Sequence, residues 1–485
     1  MTLYLLKRSQ LFMATVLIAL LGFSFSLPGQ EPPKPAQEQE EEAKEGGEKK
    51  KEAEEPAEEK DEDAEEPEES PYLAIVGGDV YTVTGGVVHG GTVLVKEDRI
   101  LKVGKNISVP EGARTIDATG MHVYPGLVAL NSSGIHTGGS KPEDSFRPYN
   151  LTLDLALAGG ITSAQANGSV AKLTRGTLDG MFVREKVWLS LSYSTTAPSS
   201  RRRMRNEFLA CRNYLREMDR YQAAKARGEE DLKEPDASKL NKGYLQLLQG
   251  QAQARFNANT VKDLMTVCEF LEEFPMKAVV FGAQEAWIVA PRLGRTGARV
   301  VVNPRSKRLS NQSLSRPSGW SIENARVLHD AGVEVAVLPS QTYISTGGIT
   351  GRDLMTLPLE ATFAIRGGLP QEQALRSITL IPAKVLGIGH RVGSIEAGKD
   401  ADLIVTDGDL FDYRTFVQWT VVNGQVVYDK QEAPYFAHIR PRPEPTPQEV
   451  MDSIRKAAKK EEGDAEEEEG AEKPPDAPEK ESGSK

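Results

Sequence analysis

The stretch that most constrains this chain is VYPGLVAL, Val123 to Leu130, which is apolar except at Tyr124, Pro125 and Gly126. A short apolar run bounded by turn residues fits a strand buried on both faces, as in a parallel sheet covered by helices. From about Pro125 to Gly393, similar β-runs alternate with amphipathic stretches, the pattern of βα units in a parallel barrel. The expected strands are Leu127 to Asn131, Ile161 to Ala166, Met181 to Arg184, Val187 to Tyr193, Ala252 to Asn257, Lys277 to Gly282, Val300 to Asn303 and Val335 to Leu338. Two helices are expected over Arg203 to Arg227 and Asn259 to Phe274, each with one apolar stripe. Cys211 and Cys268 fall on those stripes and read as small buried hydrophobes rather than a disulfide.

Short β-rich runs flank this middle part, over residues 71–124 and again over 394–432. In the second, Asn423-Gly424 sits between two alternating apolar runs, a strong hairpin signal. The reading is a small β-sandwich built from both flanks of the barrel. Outside it lie two charged segments. Residues 31–70 hold 19 acidic and 6 basic residues and no aromatic, and residues 451–485 hold 12 acidic and 7 basic. Such segments cannot bury enough apolar surface to offset chain entropy, so 31–70 reads as a disordered spacer and 433–485 as a disordered acidic tail. The formal charge of −11 therefore belongs to the tails, and the remainder is mildly positive. Nothing in that balance points to nucleic acid. Residues 1–30, with Lys7 and Arg8 ahead of an apolar Leu11 to Phe23, read as a signal peptide. The folded part is then exported, to a periplasmic or extracellular space. A membrane association is expected only if that segment stays uncleaved.

Pro125, Gly126, Leu127 and Val128 also resemble the opening of the amidohydrolase barrel, within the imidazolonepropionase-like group. That family reads Pro-Gly-Leu-(Ile/Val)-Asp-x-His-x-His at this point. AGGIT at Ala158 to Thr162 is similar to the entry to its second strand. The densest similarity is the exit from the barrel: Ala374-Leu375, Thr379, Pro382-Ala383, Leu386-Gly387, Gly393-Ser394-Ile395, Gly398-Lys399 and Ala401-Asp402-Leu403. The resemblance implies an α/β fold, a (β/α)8 TIM-like barrel over residues 125–393. It also implies one or two divalent metals, zinc or iron, at the barrel mouth, where a bound hydroxide attacks a carbonyl or imine carbon.

Carried over position by position, the family's ligands are replaced. Ala129 stands for the Asp after the first strand motif, and Asn131 and Ser133 for its two histidines. Asn257 takes the fifth-strand position, Gly282 the sixth (Phe281 if the register slips by one), and Ser340 the eighth. Neutral amide and hydroxyl oxygens are hard, weak donors, poorly suited to zinc or iron. Of the six histidines, His89, His122, His329, His390 and His438 read as remote from the mouth, and only His136 as near it. Ser345 to Gly351 is Gly-rich but lacks the lysine of a phosphate loop and reads as a mouth loop. Asp353 and Glu360 read as isolated, exposed or capping carboxylates.

The preferred reading is an amidohydrolase-related protein with no catalytic residues, no metal and no cofactor. It would act by binding a small polar ligand or a partner, as a homo-oligomer or in assembly with an active relative. A working hydrolase of non-peptide carbon–nitrogen bonds with an unusual site, and a structural envelope component, are the alternatives. The composition of the tails makes a first prediction. Deleting residues 31–70 and 451–485 together leaves the melting temperature unchanged to within about 2 °C, and a loss of several degrees by calorimetry contradicts it.

Overall fold

The protein is described here by a computed structural model covering residues 70–136, 146–229, 232–344 and 353–433. The chain divides into two units, Met1–Pro67 and Glu68–Lys485, and the described residues belong to the second. The expected signal segment, the spacer apart from Ser70, the Gly-rich segment 345–351 and the tail from residue 434 lie outside the described residues.

The chain opens with β1 (Tyr72–Tyr81), β2 (Val87–Lys96), β3 (Arg99–Gly104), β4 (Arg114–Asp117) and β5 (His122–Pro125). The middle holds β6 (Leu127–Ala129), β7 (Ile161–Ala166), β8 (Ser169–Lys172), β9 (Phe182–Arg184), β10 (Leu189–Ser190), β11 (Ala254–Ala258), β12 (Ala278–Gly282), β13 (Arg299–Val302) and β14 (Val335–Val337). It closes with β15 (Leu403–Thr406), β16 (Val417–Val422) and β17 (Gln425–Asp429). The two flanks do come together. They form one sheet in the order β17-β16-β15-β5-β1-β2-β3, with β4 on β1. The join is the antiparallel pair β5–β15, where Pro125 faces Leu403 and His122 faces Thr406. The hairpin at Asn423-Gly424 forms as expected, with both residues at positive φ.

The middle is α/β with parallel pairing, arranged as two arcs. One runs β10-β11-β12-β13-β14, all parallel; in the other, β6 and β7 are parallel. Among the described residues no strand pairing closes one arc onto the other. Their side chains alternate between two cores. Val128, Val279, Phe281, Val301 and Ala336 share one apolar cluster. Leu127, Ala129, Val280, Val300, Val302, Val335 and Val337 belong to the other, with the helices. The helices Pro198–Ala226 and Val261–Glu273 match the expected pair, and Cys211 and Cys268 are buried and free.

One expected βα unit is something else. Phe182–Arg184 pairs antiparallel with β8, and β8 pairs antiparallel with β7 through the two-residue turn Asn167-Gly168. Both turn residues have positive φ, 44° and 89°, the geometry that an Asn-Gly pair favours. Asp353 and Glu360 also depart from expectation. Both are buried, and Glu360 pairs with Arg305 at 2.5 Å.

The β7–β8 hairpin carries Lys172 into the boundary between the middle and the end sheet. Its ammonium is fully buried and meets Asp400 at 2.5 Å and Asp402 at 3.0 Å. Arg99 and Arg391 also reach Asp400. Burial raises the Asp400 carboxyl, but the charges of Lys172 and Arg391 outweigh it and hold the group below its ordinary 3.8. A carboxyl depressed in the folded state contributes stability that is present above the unfolded value and lost as pH falls through the folded one. Lys172→Met, which leaves both carboxylates without that cation, is expected to destabilise the fold by about 3–5 kcal/mol at neutral pH. The difference from the parent shrinks when urea unfolding is repeated near pH 3. A difference that is independent of pH contradicts the assignment.

Candidate functional site

The C-terminal ends of the parallel strands are where this fold class places chemistry, and the sequence-derived positions can be located there one at a time. Asn131 follows β6 with φ 54°, and its N–H donates to Gln165 Oε1 at 2.9 Å. Asn tolerates the left-handed region better than other side chains, so the turn itself accounts for this residue. Ser133 is exposed; its N–H donates to the Thr342 carbonyl at 2.7 Å, and its Oγ leans on the same oxygen at 3.4 Å. This contact brings the end of β6 to the segment that follows β14. Asn257 is exposed near the end of β11, in register with Phe281 on β12. Ser340 is exposed, and its Oγ accepts from Asn303 Nδ2 at 3.1 Å.

Gly282 does not present a group to the mouth. Its φ is +89°, and a Cβ there would stand 2.2 Å from Asn259 Oδ1. The position is glycine because the backbone passes against Asn259 in a conformation other residues avoid. The residue of β12 that joins the inward cluster at this level is Phe281, 6% exposed.

Sequence reading missed the most distinctive group. Arg255 lies two residues before Asn257 on β11, hence on the same face. Its guanidinium lies 4.2 Å from the Phe281 ring centre and 5.0 Å from that of Trp188. The two rings meet edge to face at 5.4 Å. Arg255 Nε is buried with no hydrogen-bond partner among the described residues, and burial pulls the guanidinium below its usual range. Two aromatic faces thus hold the cation, as cation–π attraction allows. The signal was present in the sequence as a charge at an alternate position on a strand otherwise read as buried.

His136 is buried, with Nε2 3.0 Å from the Ala164 carbonyl oxygen. That geometry requires Nε2–H to donate, which leaves Nδ1 as an acceptor; it is buried and has no partner among the described residues. The other histidines of the described residues lie elsewhere. His89 pairs with Asp79, and His122 bonds the Tyr124 hydroxyl. His329 lies in the last turn of the helix Asn324–Asp330, and His390 is exposed between the middle and the end sheet.

No side chain among Asn131, Ser133, Asn257 and Ser340 hydrogen-bonds to another of the four, among the described residues. Nor do three or more His, Cys, Asp or Glu side chains group there in a way that could hold a metal ion. Two amides, two hydroxyls and a phenyl ring do not fit zinc or iron. Burial is the largest influence on His136 and lowers its pKa below 6.5, the Ala164 bond opposing it. A histidine depressed in the folded state contributes stability that is full above 6.5 and lost as pH falls. Stability measured by urea unfolding is expected to decline below pH 6.5 in the parent and to decline less in His136→Gln. Equal slopes rule out a buried neutral imidazole.

Residues 265–432 match the amidohydrolase family, a segment that takes in β12 to β17. Over 168 residues the chain is 30% identical to an amidohydrolase of Hapsidospora irregularis, covering 33% of this chain and 16% of that protein. It is 30% identical over 118 residues to the imidazolonepropionase of Thermoplasma volcanium, covering 23% of this chain and 27% of that enzyme. These matches span 16% and 27% of the curated relatives' own length. The solved structure of an amidohydrolase from Thermotoga maritima superimposes with a TM-score of 0.57 at 26% identity, covering 74% of this chain and 100% of that one.

Proposed function

We propose that this chain, whose residues 265–432 match the amidohydrolase family, is a metal-independent member that binds a small polar molecule at the mouth of its parallel strands instead of hydrolysing one. On this reading the two parallel arcs are the sides of one (β/α)8 barrel. Their shared inward cluster and the likeness to the Thermotoga maritima amidohydrolase support that. The end sheet is then the accompanying β-sandwich.

The observation that carries the proposal is Arg255 between Trp188 and Phe281. A metal at the fifth-strand position would sit one pleat repeat, about 7 Å, from a fixed cation. At an effective dielectric of about 20 a dication there is repelled by roughly 5 kcal/mol. The same cation under a rim of Asn131, Ser133, Asn257 and Ser340 favours a polar ligand with acceptor oxygens. Assembly with a second copy, or with a catalytically complete relative, and export from the cytoplasm belong to the same proposal. One observation favours a hydrolase with an unusual site: Nδ1 of His136, without a partner among the described residues, is a buried acceptor able to take a proton.

Elemental analysis of the purified chain tests the proposal, alongside a variant carrying Asn131→His, Ser133→His, Asn257→His and Ser340→Asp. The parent is expected to hold no stoichiometric zinc, iron or manganese. The restored variant is expected to take up metal only weakly, and more once Arg255→Met is added. About one metal per parent chain, or amide hydrolysis by the parent that His136→Gln abolishes, overturns the proposal in favour of the hydrolase.

A further inference from the structure

Away from the mouth, the loop between β15 and β16 folds over the start of the helix Leu357–Arg366. Between them is a cavity of about 320 Å³. Its walls include Leu359, Leu410, Phe411, Tyr413 and Phe416, and Lys430 also lines it. Tyr413 is 87% exposed and Phe416 38%, so the aromatic wall opens to solvent. Lys430 is only 2% exposed.

A buried charge is normally paired, because desolvation without a partner is expensive. Four buried groups follow the rule, while Arg255 is held by rings alone among the described residues. Lys172 has Asp400 and Asp402, Asp154 has Arg175, Glu285 has Arg308 and Glu360 has Arg305. Lys430 has no ion pair among the described residues. Its ammonium lies 4.5 Å from the Phe416 ring centre. The neighbouring acids are committed to other groups. Asp412 is held by Arg414, which lowers its carboxyl to about 2. Asp429 accepts from Trp419 Nε1, Asp407 from Gln418, and Asp409 from Gln371.

We propose that this cavity is a second binding site, for a small amphipathic carboxylate whose carboxyl group meets Lys430 and whose apolar body packs on Phe411, Tyr413 and Phe416. One buried cation calls for one negative charge, and the mostly apolar walls call for an aliphatic or aromatic body. The volume falls within the usual range of small-molecule sites. Phe416 already contributes a cation–π contact, and an arriving carboxylate completes the coordination of the ammonium from the open side. The site shares no residue with the mouth, so it stands or falls independently of the metal question.

Calorimetric titration of the full chain with 4-phenylbutanoate tests it, with the neutral 4-phenylbutanamide as control. Saturable binding of the acid is expected, with the amide bound about tenfold more weakly or worse. Lys430→Met is expected to lose the preference for the acid, and Lys430→Arg to keep most of it. Tyr413→Ala, at an exposed position that folding does not depend on, is expected to weaken the acid several-fold and keeps the test valid if Lys430→Met fails to fold. No saturable binding of the acid, equal affinity for acid and amide, or an unchanged preference in Lys430→Met overturns the proposal. So does acid binding that Tyr413→Ala leaves untouched.

Discussion

Asp402 is the group on which the rest of this structure depends. Its carbonyl accepts the Gly126 N–H at 2.9 Å, just where the chain leaves the end sheet for β6. Its carboxylate takes the Lys172 ammonium at 3.0 Å and the Asn423 N–H at 3.0 Å. One residue therefore ties together the first strand of the middle, the β7–β8 hairpin and the last hairpin of the chain. The contacts are buried, so removing any one leaves charge or amide groups without water or partner. Beside it, Gly126 is glycine because a Cβ would stand 2.1 Å from Thr162 Oγ1. The Pro125-Gly126 and Ala401-Asp402-Leu403 motifs, far apart in sequence, meet at one junction.

That junction holds the fold independently of which residues stand at the ends of the parallel strands. The groups that hold the end sheet to the middle are charged, buried and mutually dependent. The residues at the mouth are exposed, or sit in turns with their own backbone reasons. Substituting Asn257 or Ser340 disturbs no buried partner, whereas substituting Lys172 or Asp402 does. Phe281 and Arg255 go further. They place a ring and a cation in contact on the inner face of the strands, where an ionisable ligand set would need room and negative charge.

The cavity at Lys430 shows the same logic inverted. Among the described residues Lys430, like Arg255, has an aromatic face where Lys172, Asp154, Glu285 and Glu360 have an ion pair. It lies on the end sheet, not on the strands that the family resemblance draws attention to.

Much of this could be read from the residues in order. Apolar runs such as Val123 to Leu130 declared buried strands. Asn423-Gly424 declared its hairpin, and the exit motif carried the family resemblance, because periodicity and turn chemistry are local properties. Asn167-Gly168 carried the same turn signal but was overlooked, and with it the hairpin that brings in Lys172. The pairing of Lys172 with Asp400 and Asp402, across more than two hundred residues, had no local signature. Nor did the inward direction of Phe281 rather than Gly282, the cage around Arg255, or the isolation of Lys430. Those depend on strand register and on which distant side chains share one buried volume, and a charge in a sequence gives no sign of whether its partner will be there when the chain has folded.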